Sequence, residues 1–161
     1  PLKTIEKILV ICDKQVPNNM RVLLLHGILA RQQAIKTKQW QPAIAWLLKA
    51  IRKAPYGNQA PLLELAVTYE WAQDIKKAKA IYAGLLKKNP RLRAALLGSA
   101  RMAVATRDAK YALDVYNRLL QKNPDDIDAL NGIARAKMAS GDFMQARLYF
   151  NKVLQIKSDK F

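Results

Sequence analysis

Reactive side chains are scarce: the 161 residues hold one cysteine, Cys12, and one histidine, His26. A lone thiol can form neither an internal disulfide nor a thiolate metal site. Nucleophilic and metal chemistry need His, Cys and carboxylate groups that converge. No catalytic, cofactor-binding or metal-ligating residue is therefore expected, and no glycine-rich phosphate loop is present to suggest one. Cys12 reads as a small buried hydrophobe. His26, in the run Val22 to Ala30, reads as a helix residue packed between helices or lying at the surface. Gly 6 and Pro 7 exclude collagen-like and low-complexity classes. No apolar run approaches the roughly 18 residues that a spanning helix needs, so no transmembrane segment is expected.

Acid is scarce too. Asp+Glu number 12 against 28 Lys+Arg, for a net charge of +16. Such a balance admits nucleic acid, acidic lipid or an acidic protein as partner. The excess is uneven: residues 1–57 carry ten bases against two acids, and the later segments 58–92, 93–126 and 127–161 carry +3, +2 and +3. What is abundant is hydrophobic residues, at 51%, enough for one compact domain or a short repeat array.

A repeat organises this content. Pro55, Pro90 and Pro124 are almost evenly spaced. Ala78, Ala112 and Ala146 recur at one constant interval, which Tyr82, Tyr116 and Phe150 share, as do Asp74, Asp108 and Asp142. Within 58–92 the apolar series runs Leu62, Leu65, Ala66, Tyr69, then Ala78, Tyr82, Leu85 and Pro90. The same places in 93–126 hold Leu96, Ser99, Ala100, Ala103, then Ala112, Tyr116, Leu119 and Pro124; in 127–161 they hold Leu130, Ile133, Ala134, Lys137, then Ala146, Phe150, Val153 and Ser158. Residues 18–57 diverge: Ala43, Leu47, Ala50 and Pro55 fit, but Gly27 and Arg31 stand where a large and a small apolar residue are expected.

This pattern resembles the tetratricopeptide repeat, a helix-turn-helix unit of about 34 residues. The resemblance implies an all-α solenoid of antiparallel helix pairs wound as a right-handed superhelix, in which small residues let helices approach and aromatics fill the gaps between units. Helices are expected at 3–14, 20–36, 41–53, 60–72, 75–88, 93–105, 109–122, 127–140 and 143–157, without strand. Asp74, Asp108 and Asp142 are placed to N-cap second helices, and Gly141 to end a first one. Residues 1–17 look like the second helix of a preceding repeat. The chain starts with proline and shows no signal peptide, so a segment of a longer repeat protein is expected.

The family works through protein binding, so a non-enzymatic interaction scaffold is the leading expectation, with a protein or peptide ligand, acidic in character, and a place in a multi-component assembly. Its concave groove is lined by first-helix side chains. Projected here, these are Ile28, Gln32 and Ile35; Leu63, Val67 and Glu70; Leu97, Arg101 and Val104; Asn131, Arg135 and Met138. The lining is expected to be mostly apolar, with Arg101 and Arg135 one repeat apart to grip a carboxylate. The family's clamp for chaperone carboxyl-termini does not carry over: its Lys, Asn and Arg places hold Ile28, Gln32, Glu64, Ala94 and Gly98 in one register and Leu63, Val67, Gly98, Asp128 and Gly132 in the next. The alternative function is docking on an anionic polymer or acidic membrane, through the basic patch Lys76, Lys77, Lys79, Lys87, Lys88, Arg91 and Arg93, or through Arg31, Lys36 and Lys38 near Trp40 and Trp46. Without a base-reading motif, protein or peptide is favoured over nucleic acid. The family occurs in the cytoplasm and as periplasmic scaffolds in bacteria, and both compartments fit.

Overall fold

The computed structural model describes the backbone of residues 2–159 and the side chains of residues 7–159. Among these residues the regular elements are all helices: α1 (Leu2–Gln15), α2 (Met20–Thr37), α3 (Gln41–Lys53), α4 (Ala60–Trp71), α5 (Ile75–Lys88), α6 (Arg93–Ala105), α7 (Ala109–Lys122), α8 (Ile127–Ala139) and α9 (Phe143–Ser158). Each observed limit lies within one residue of the limit expected from the repeat.

The turns inside the pairs are built alike. A residue in the left-handed region closes the first helix at Lys38 (φ 60°), Gln73 (φ 60°), Arg107 (φ 61°) and Gly141 (φ 84°). In the last three turns the aspartate that follows serves both helices. The amides of Asp74, Asp108 and Asp142 donate back to the carbonyls of Tyr69, Ala103 and Lys137 at 2.8–2.9 Å, satisfying acceptors that the helix end leaves open. Their carboxylates accept the amides of Lys77, Tyr111 and Gln145 at 3.1–3.2 Å, which caps the next helix.

The chain divides into two compact units, Pro1–Ile81 and Tyr82–Phe161. In the first, α1 packs on α2, α2 on α3, and both α2 and α3 on α4. Its core gathers Ile44, Leu47 and Leu65, flanked by Leu24, Trp40, Ile51, Tyr69 and Ile81. Both departures of 18–57 from the repeat have a physical reason. A Cβ on Gly27 would meet the side chain of Leu47 at 2.6 Å, so glycine lets α2 and α3 approach there. Arg31 replaces the small residue because it has a partner: its Nη1 donates to Glu64 Oε2 at 2.6 Å and to the Glu64 carbonyl at 3.3 Å. His26 packs between helices, with Nε2 at 2.9 and 3.0 Å from the Asp13 carboxylate and its ring stacked on Trp46 at 4.5 Å. Cys12 corrects the expectation of full burial; it is half-buried on α1.

In the second unit, α6 packs on α7, α7 on α8, α6 on α8, and α8 on α9. Alanines dominate the contacts, with Ala100, Ala103, Ala112 and Ala129 buried around Tyr116, Val115, Leu119 and Ile133. Small side chains bring helix axes close, and the large ones fill what remains. Tyr82 and Tyr116 are fully buried, each with its ring against the backbone of a glycine, Gly98 and Gly132 respectively.

Candidate functional site

On the first-helix side of unit 2, α6 and α8 run side by side, and the repeat register puts equivalent side chains next to one another. Leu97, Arg101, Asn131 and Arg135 come together there around a depression of about 270 Å³, joined by Tyr116, Asp128 and Gly132. Leu97 is buried in its floor, Arg101 is half-buried and Arg135 is exposed at its edge. Asp128 is held by Arg93, whose Nη2 lies 2.8 Å from its carboxylate. Two guanidinium groups, one amide and one carboxylate thus share this depression with the side chains of Leu97 and Tyr116.

In this depression the lining is mixed, since four of the seven lining residues are charged or amide side chains. The other projected positions spread out. Val104 belongs to a second hollow of about 170 Å³ with Arg107, Ala109, Ala136, Ala139 and Ser140, and Met138 is exposed. In unit 1, Ile28, Leu63, Val67 and Glu70 are half-buried, and Gln32 and Ile35 are exposed. Sequence reasoning missed Tyr116, Asp128 and Gly132 as lining residues. A signal exists: Gly132 follows Gly98 by one repeat and faces the recurring tyrosine, but it reads as a packing feature until the helices are placed.

The basic patch is only partly available. Lys76, Lys79, Lys87, Lys88 and Arg91 are exposed. Lys77 instead donates to Asp74 at 2.8 Å and lies over the Tyr69 ring at 5.1 Å; the shared hydrogen bond lowers the pKa of Asp74 and raises that of Lys77. Arg93 leaves the patch altogether. Its guanidinium bridges Asp126 at 2.7 Å and Asp128 at 2.8 Å, and Asp126 in turn caps α8 by accepting the amides of Asp128 and Ala129. The stacking surfaces expected near Arg31 are also occupied: Trp40 packs against the unit 1 core and Trp46 lies between His26 and Lys49. Among the described residues no cluster of three His, Cys, Asp or Glu side chains is placed to hold a metal, and no helix is long and apolar enough to cross a membrane.

Helix pairs repeated at one fixed interval, with capped turns and glycine-tyrosine contacts in register, define an all-α helical-repeat protein of the solenoid class. Family models described as tetratricopeptide repeat match residues 62–91 and 103–160, together more than half of the sequence, and the chain belongs to that family. No curated protein matches it. Solved structures agree on the fold. Two crystal structures of MamA align with TM-scores of 0.66 and 0.63 at 19% and 20% identity, covering 94% and 92% of this chain and 86% and 78% of those chains. YrrB, described as a TPR protein with an unusual peptide-binding site, aligns with a TM-score of 0.64 at 13% identity, over 98% of this chain and 79% of that one. The chain is thus of the protein-interaction scaffold class, whose fold is generally non-enzymatic.

Proposed function

We propose that unit 2 binds a peptide or helix of a protein partner on the α6/α8 face, and that a carboxylate and an apolar anchor of that partner enter the depression lined by Leu97, Arg101, Asn131 and Arg135. The observation that carries this reading is that Arg101 and Arg135 line one depression together with Leu97 and Tyr116. Arginine forks match carboxylates bidentately. The volume of about 270 Å³ lies just under the range of small-molecule pockets and suits one or two protruding side chains. Asp128, drawn toward Arg93, rejects acid on its own side and fixes which way the carboxylate points. By the same register, Ile28, Gln32, Leu63, Val67 and Glu70 offer unit 1 side chains to the same kind of ligand.

Peptides selected from a random displayed library on the whole chain provide the probe. Acid-bearing sequences should emerge. Exchanging both arginines, Arg101→Glu with Arg135→Glu, should weaken binding of a selected peptide by at least about tenfold at unchanged helix content, each charged hydrogen bond being worth about 1.5–3 kcal/mol. Unaltered affinity removes the assignment.

A further inference from the structure

Between Asp13 and Glu64 the chain has no acidic residue, yet it has eight basic ones. Arg31 is turned inward to Glu64; the other seven are exposed. Three of these seven share one side of α3. The helix buries Ala43, Ile44, Leu47 and Ala50 against its neighbours, and turns Leu48, Lys49, Arg52 and Lys53 outward. Leu48 is 43% exposed although it is apolar.

Just past the helix, a tight turn extends this face. The Asn58 amide donates to the Pro55 carbonyl at 3.0 Å, and Gly57 sits at φ +83°, the left-handed third position that a type II turn reserves for glycine. Tyr56 is thereby carried at the apex with its ring entirely in solvent. A fully exposed tyrosine gains nothing from the fold. Its position is set by the backbone, beside two cations.

We propose that this outer face of α3, with the Tyr56 turn, docks on an anionic phospholipid surface: Lys49, Arg52 and Lys53 lie against lipid phosphates, while Tyr56 and Leu48 seat at headgroup level. Cations near such a surface each add about fivefold in affinity, and aromatic side chains with one polar end favour the interface. Charge complementarity favours this occupant, because α3 and its turn carry cations and no carboxylate. A nucleic acid accounts for less of the same face. Single strands are held on successive aromatics, whereas Trp40 and Trp46 are committed to packing and Leu48 would gain no apolar partner from a phosphate backbone.

The test is co-sedimentation of the whole chain with vesicles of phosphatidylcholine, with and without phosphatidylserine. Binding is expected only to the phosphatidylserine vesicles. The Lys49→Glu, Arg52→Glu, Lys53→Glu variant should lose at least about a hundredfold in affinity with helix content intact, and the emission of Tyr56→Trp should shift to the blue when these vesicles are added. The proposal is overturned if the parent ignores anionic vesicles, if the triple variant binds them as well as the parent, or if a random oligonucleotide displaces the vesicles at equal charge concentration.

Discussion

The ring of Tyr82 occupies the place that a side chain on Gly98 would need, and one repeat further along the chain Tyr116 stands in the same relation to Gly132. Both rings are fully buried, so neither can swing aside. Gly98→Ala and Gly132→Ala are therefore expected to lower stability by about 1–3 kcal/mol through overpacking. Gly84 is the control. It lies mid-helix with nothing within 4 Å of an added Cβ, and Gly84→Ala should raise stability by up to about 1 kcal/mol from helix propensity alone. Urea unfolding followed by circular dichroism measures all three; shifts of one sign would refute the contact.

Asp126 predicts an acid dependence. Burial works to raise its pKa, but the hydrogen bond and charge of Arg93, with the amides of Ala129 and Asp128, outweigh it and leave the value below the ordinary 3.8. A depressed carboxyl stabilises the folded form above its unfolded pKa and loses that contribution as the pH falls through the folded one. Asp126→Asn keeps an oxygen for the cap but loses the charge that Arg93 grips, and should cost about 1–2 kcal/mol at neutral pH. The gap to the parent should close below about pH 3.8. A gap that stays constant in acid would place the stabilisation elsewhere.

Arg31 and Glu64 should behave as one unit. Both are half-buried and 2.6 Å apart, and breaking such a pair strands a charge. Arg31→Ala and Glu64→Ala are each expected to destabilise. The double variant should do so by less than their sum, with a coupling of about 0.5–3 kcal/mol. Additive losses would show that the two do not depend on each other.

How legible these features are in the sequence follows from their range. Helix limits and the capping aspartates are local, so Asp74, Asp108 and Asp142 announce their turns through spacing alone. Arg93 reads as part of a solvated cationic patch because its partners, Asp126 and Asp128, lie 33 and 35 residues away. Arg31 and Glu64 are likewise 33 apart. Glu64 occupies the register place that Gly98 and Gly132 hold later, so at this place the repeat 58–92 carries an ion pair to Arg31 where the later repeats have a ring-on-glycine contact. That exchange involves two positions at once and is invisible to a position-by-position comparison with the repeat. In the candidate site, Arg101, Asn131 and Arg135 follow from the register; Asp128 and Tyr116 enter only through three-dimensional placement.

Backbone amide mapping by nuclear magnetic resonance tests the central claim most directly, with a library-selected acidic peptide titrated into the labelled chain. The account predicts the largest shifts along α6 and α8, at Leu97, Arg101, Asn131 and Arg135, with α9 and the outer side of α3 unmoved. Shifts confined to α3, α7 or α9, with α6 and α8 silent, would contradict it.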